Sequence, residues 1–143
     1  MSGPVHFTLE EFLHSDTARQ LGVSNYPTWE IVDNLRRLGD TMERIRAGLG
    51  GHPITITSGY RSPPVNNAVG GATNSAHLCG LACDFVVPHF RGPPDVCAAI
   101  QPYLVVLEID QIIDEGGGDG WGWVHLGLCS PPATPRCECF KIG

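Results

Sequence analysis

No apolar run in the sequence reaches the roughly 18 residues that a membrane-spanning helix needs, and the N-terminal MSGPVHFTLEEF has no basic segment leading into an apolar one. Neither membrane insertion nor a secretion signal is therefore expected. Positive charge is scarce too. Nine Lys and Arg against 15 Asp and Glu give a formal net charge of −6, with no basic cluster anywhere. This excludes a grip on the phosphates of nucleic acid and docking to anionic lipid, and favours a small-molecule or peptide partner. C-x2-C pairs are also missing. The six cysteines stand at 79, 83, 97, 129, 137 and 139, so a zinc ribbon is not indicated, and buried thiols with one or two disulfides near the tail are the simpler expectation. Internal repeats and low-complexity segments are absent. What is present, 42% hydrophobic residues in a chain of 143, suffices for one core and hardly for two.

Punctuation divides the chain. Thr8 with Glu11 forms a capping-box pattern that predicts a short helix, and Ser15 predicts a second ending at Gly22. Pro27 marks the start of a long amphipathic helix, with Ile31, Leu35, Leu38, Met42, Ile45 and Leu49 on its buried side and Gly50-Gly51 at its close. Its charged side, Asp33 to Arg46, reads as a solvated face. The alternation in I-T-I-T-S-G predicts a strand. Residues 62–76, rich in Pro, Asn, Gly and Ser, read as a long loop, and such loops in small domains are commonly functional. Further strands are expected over Ala82–Val87, Glu108–Asp114 and Trp123–Cys129, with a short helix over Pro94–Tyr103. The last dozen residues read as an irregular tail.

Strand alternation then sorts the chemistry in S-A-H-L-C-G-L-A-C-D-F, residues 75–85. Ala82, Asp84 and Val86 share one face, and Cys83, Phe85 and Val87 the other. A carboxylate on so apolar a strand must be paired, hydrogen-bonded or metal-bound. Trp123, His125 and Gly127 likewise share a face, with Val124, Leu126 and Leu128 turned to the core and Gly127 leaving room beside His125. A lone histidine on an apolar strand is more often a satisfied side chain than a ligand. His77, Asp84 and His125 together, however, compose two imidazoles and a carboxylate with a fourth position left for water, the pattern of a catalytic zinc.

The stretch S-x-H-x-x-G-x-A-x-D resembles the signature of the zinc D-alanyl-D-alanine carboxypeptidase family, which has the Hedgehog/DD-peptidase fold. I-T-S-G-Y-R-S, V-G-G-A-T-N-S and W-V-H-L follow the family's order. F-T-L-E-E-F and I-R-A-G-L-G are similar to its phage-endolysin-like subgroup. The likeness runs over about residues 7–129 of a single domain spanning 1–143 and leaves out the tail, 130–143. It implies an α+β fold with N-terminal helices packed on a small, mostly antiparallel sheet. It also implies one zinc ion on His77, Asp84 and His125, and Arg61 facing the substrate carbonyl or carboxylate, a role its planar fork suits. Ser75 matches a serine beside bound substrate, with a turn-forming hydroxyl before His77 as the alternative. Many members carry an acid three residues before the last histidine, where this chain has Gly122. In the phage-like subgroup the acid closes the preceding strand, which points to Glu115 as general base. Asp119 competes because it lies nearer His125 in sequence, and Asp114 alternates with Ile113 and should point away.

The activity implied is zinc-dependent hydrolysis of peptide bonds in peptidoglycan stem peptides, either as a D,D-carboxypeptidase or as an endolysin-type endopeptidase. Tyr60, Asn66, Asn67, Asn74 and Trp123 are groove candidates, and the small residues of V-G-G-A suit a closely approaching extended substrate. The partner expected is a stem peptide, with no nucleic acid and no membrane insertion, and the protein is expected to be a monomer. Lacking a leader, it would reach the wall by phage-type release or as part of a virion. The rival readings are a catalytically silent metal-containing binding module and a virion-associated component that opens the wall locally.

Overall fold

The computed structural model describes residues 5–116 and 122–142. The first helix, α1 (Leu9–Leu13), starts as expected. Thr8 accepts from the Glu11 amide, and the Glu11 carboxylate accepts from the Thr8 amide at 3.1 Å. In α2 (Asp16–Leu21), Ser15 Oγ accepts from the Ala18 amide at 3.0 Å, and Gly22 closes the helix in the left-handed region, where glycine is least strained. The long helix α3 (Trp29–Gly48) begins two residues after Pro27, because Thr28 is the extended cap. Leu35, Leu38, Met42 and Ile45 line its buried stripe.

Five strands form one sheet in the order β1-β2-β4-β3-β5. These are β1 (Thr55–Ser58), β2 (Ala82–Val86), β3 (Gln111–Gly116), β4 (Gly122–Gly127) and β5 (Glu138–Lys141). The first three pairings are antiparallel, and β5 alone runs parallel to its neighbour β3. Cys83, Phe85, Ile112, Val124 and Leu126 point to one side, where α3 and α5 (Pro93–Ile100) join them in a single core. The opposite face is left for chemistry. The expected α+β arrangement of helices on a small, mostly antiparallel sheet is the one observed.

Four expectations need correction. Residues 62–76 are not loop throughout. Pro63–Ala68 form a helix, α4, with prolines in its first turn, where a missing N–H costs nothing, and Ala76–Cys79 form a 3-10 turn. The strand expected from Glu108 begins at Gln111, because Glu108 has a left-handed φ of 55° and the Ile109 amide turns back to the Leu104 carbonyl at 3.0 Å. The tail is not wholly irregular: β5 adds an edge to the sheet. Its cysteines, Cys137 and Cys139, are also free thiols rather than disulfides, as are the other four.

Asp110 holds that edge. Its carboxylate accepts from Arg136 Nε at 3.1 Å and Nη2 at 2.7 Å and from the Arg136 amide at 2.8 Å, while its carbonyl accepts from the Glu138 amide at 3.0 Å. The Arg136 hydrogen bonds outweigh burial and hold the Asp110 carboxyl below its ordinary value. A depressed carboxyl stabilises above its unfolded value, and the contribution fades as pH falls through the folded one. Amide-exchange protection of β5 should therefore be full at neutral pH and decline below about pH 4. Asp110→Asn should lower that protection about fivefold at neutral pH, the equivalent of about 1 kcal/mol, and flatten the acid decline; hydrogen exchange read by mass spectrometry checks both.

Candidate metal centre

The centre forms where β2 and β4 pair. Asp84 stands directly opposite His125, and Ser58 of β1 opposite Asp84, so the face assigned by alternation is the face observed. Val124, Leu126 and Leu128 are buried on the other side, as is Cys83. His77 arrives from the 3-10 turn that Ser75 opens, its Oγ accepting from the His77 amide at 3.2 Å. One ligand atom from each of His77, Asp84 and His125 falls within 4.8 Å of the others, the one such group among the described residues.

The hydrogen-bond pattern suits a cation. His77 is 2% exposed, and its Nδ1 lies 2.7 Å from the Gly59 carbonyl oxygen. A carbonyl can only accept, so Nδ1 carries the hydrogen, and in the neutral imidazole that serves as a ligand Nε2 presents a lone pair. That Nε2 is buried without a hydrogen-bond partner and lies 3.5 Å from Asp84 Oδ1, itself an acceptor. His125 Nδ1 lies 3.0 Å from the same oxygen, and the two imidazole centroids are 5.2 Å apart. Tetrahedral ligation at about 2.1 Å puts neighbouring donor atoms about 3.4 Å apart, between the two separations found here. Burial pushes the Asp84 carboxyl up, but the His125 hydrogen bond and the adjacent His77 ring more than reverse this and hold it far below the usual carboxylate range. An anionic oxygen and two imidazoles, one with an unpartnered lone pair, fit one zinc ion.

Arg61 borders the group, with Nη2 3.8 Å from Asp84 Oδ2 and its amide donating to the His77 carbonyl at 3.1 Å. Its guanidinium is held from behind: Nη1 donates to Asn66 Oδ1 at 3.0 Å, and Asn66 Nδ2 donates to the Ala72 carbonyl at 2.9 Å. Asn66 is buried, so it is a support for Arg61 rather than a groove residue. The glycines of V-G-G-A also serve another purpose than the one expected. A Cβ on Gly71 would fall 2.0 Å from Asn66 Oδ1 and 2.8 Å from Arg61 Nη1, so the space it leaves is taken by this pair and not by substrate. Asn67 and Asn74 are exposed.

Tyr60 is 5% exposed and packs in the core. It forms an inner wall of a groove of about 310 Å³ that runs from Asp84 and Arg61 past Thr57 and Ser58 to Ser15 and Asp16. Asn25, which the sequence reading missed, ties this wall together. Its Nδ2 donates to the carbonyls of Leu13 and Tyr60, and its Oδ1 accepts from the Ser62 amide. A single asparagine in S-N-Y-P carries no local signal of such a role.

Among the acids, Glu115 lies on the same face as His125: it pairs with Trp123 and is a diagonal neighbour of His125 across β3 and β4, a separation of about 7–8 Å along the backbone that a glutamate can span. Trp123 was expected in the groove, but its Nε1 donates to Glu115 Oε2 at 2.6 Å. Asp114 does point away, buried, with Oδ1 accepting from the Gly116 amide at 3.0 Å. Asp119 lies outside the described residues. Gly122 has φ 125°, and a Cβ there would fall 2.3 Å from Gly116 Cα. No acid can occupy position 122 without parting the two strands. At Gly127 a Cβ would meet His125 Nε2 at an ordinary 3.5 Å, so the room that glycine leaves is modest.

A mostly antiparallel sheet with its core against α3 and α5, and on the other face three converging ligands beside a groove, define a catalytic rather than a structural metal centre. The peptidase M15 family model matches residues 5–100, and the chain belongs to that family. The zinc D-Ala-D-Ala carboxypeptidase of Streptomyces albus G is 44% identical to it over 60 residues, which are 42% of this chain. The match takes in 22% of the length of that relative. The family match includes Arg61, His77 and Asp84, whereas His125 and Glu115 lie beyond residue 100; strand pairing sets His125 against Asp84 and puts Glu115 on the same face of the sheet.

Replacing His77 or Asp84 with Ala should lower zinc affinity by more than the roughly 10–100-fold that loss of an outer-shell partner costs. Competition against a chromophoric chelator measures it, with wild type expected to bind one ion per chain.

Proposed function

We propose that this chain is a zinc peptidase that hydrolyses peptide bonds in peptidoglycan stem peptides. The observation that carries the proposal is the buried, unpartnered His77 Nε2 aimed at Asp84 beside His125, with Arg61 and Glu115 bordering the same face. The stem peptide as substrate is supported by the relative named a zinc D-Ala-D-Ala carboxypeptidase. Among the described residues no helix is long and apolar enough to cross a membrane.

A zinc ion bound here supplies Lewis acidity, polarising the scissile carbonyl and acidifying water so that a carboxylate can act as base near neutral pH. Arg61, clamped by Asn66, offers its remaining N–H groups to the substrate: a terminal carboxylate in the ground state, or the negative charge growing on the carbonyl oxygen as water adds. Glu115 takes one proton from the attacking water. It then returns that proton to the departing amine nitrogen as the C–N bond breaks, leaving a new carboxylic acid group and a free amine. Ser75 caps the turn that carries His77, and Tyr60 walls the groove beside Arg61.

The finer reading is a D,D-carboxypeptidase or an endolysin-type endopeptidase, acting at the wall after phage-type release or from a virion. Groove shape governs the choice of bond. Mass spectrometry of purified muropeptides after incubation separates the two: loss of a single terminal D-alanine marks the carboxypeptidase, and cleaved cross-links or internal fragments mark the endopeptidase. Wild type that holds zinc and releases no product from either would make the chain a binding module instead. Glu115→Gln should keep zinc and lose at least about 100-fold in kcat, and Arg61→Ala should lose about 100–1000-fold.

A further inference from the structure

We infer that Trp123 is a positioning residue for the base, holding the Glu115 carboxylate toward the metal side of the sheet; the inference rests on Glu115 being the base. The two residues are directly opposed on β3 and β4, and the indole N–H donates to Glu115 Oε2 at 2.6 Å, the short distance of a charge-assisted bond. Both side chains lie partly in solvent, with Trp123 42% exposed. A glutamate in that setting samples several rotamers unless something fixes it, and a base must sit within about 3 Å of the proton it takes. The indole supplies the fixing at little entropic cost, because its rigid ring turns about only two bonds. The strand pair beneath is itself tight, since Gly116 and Gly122 pair and a Cβ on Gly122 would fall 2.3 Å from Gly116 Cα. The single N–H that Trp123 could offer a substrate is therefore spent on the base. Trp123 thus acts on the rate through Glu115 and not by gripping the peptide.

The test has a structural and a kinetic arm. Proton–nitrogen correlation spectra of the zinc-loaded, 15N-labelled protein should lose one indole signal in Trp123→Phe, and that same signal should move in Glu115→Gln. In turnover of a defined stem peptide, Trp123→Phe should lower kcat about 10–100-fold with KM changed less than twofold and zinc content unaltered. In the Glu115→Gln background it should cost nothing further, since two residues acting through one contact are not additive. A rise in KM with kcat kept, or an undiminished loss in that background, would overturn the inference and return Trp123 to the substrate groove. An indole signal indifferent to Glu115→Gln would overturn it as well. If wild type cleaves no peptide, the functional proposal fails while the spectral arm still decides whether the contact exists; if Glu115→Gln retains full activity, the base lies elsewhere and the inference falls with it.

Discussion

The hydrogen bond from His77 Nδ1 to the Gly59 carbonyl is the constraint from which the centre follows. It fixes the tautomer and hence leaves the lone pair on Nε2, in a buried position facing a carboxylate. The carbonyl is immobile for a reason visible next to it. A Cβ on Gly59 would fall 2.3 Å from the Phe12 carbonyl oxygen, and the neighbouring Tyr60 amide donates to that oxygen at 2.7 Å. A buried segment at the end of α1 thus braces the residue that orients the first ligand. Capping of α1 by Thr8 and Glu11 is, through this contact, part of how the metal side is built.

The other two ligands need no such device, because the pleat supplies their direction. Asp84 and His125 oppose each other, Ile113 opposes His125, and Glu115 stands two residues further along β3. Alternate residues on three strands therefore lie on the face of the centre, and the intervening Cys83, Phe85, Ile112, Val124 and Leu126 are all fully buried in the core. A one-residue slip of β4 would send His125 into the core and Val124 to the metal, so apolar packing enforces the ligand geometry.

Much of this was legible in the chain itself. The period of two in A-C-D-F-V and W-V-H-L-G-L separated ligands from core without any structure, because strand geometry admits a single alternation. The caps at Thr8 and Ser15 were equally plain. What escaped was whatever depends on partners distant in sequence. Asn66 reads as a polar loop residue, and only the fold brings Gly71 and Ala72 around it to make it a clamp for Arg61. Cys139 and its neighbours read as tail because β5 alternates weakly and lies at an edge, where one pairing suffices. Pro63 and Pro64 masked a helix by sitting at the one place where a helix tolerates them. Trp123 looked like a groove aromatic because a sequence cannot say where an indole N–H will go.

The opposition of Asp84 and His125 couples the centre to the stability of the whole sheet. The ligands sit 41 residues apart along the chain and become neighbours only when β2 and β4 pair, so an unfolded chain offers the ion no comparable site. Free energy released on metal uptake is then folding free energy. Each tenfold excess of free zinc over its dissociation constant adds about 1.4 kcal/mol to the resistance of the fold to unfolding, and chelation withdraws it. Metal supply thereby enters the folding equilibrium of this protein.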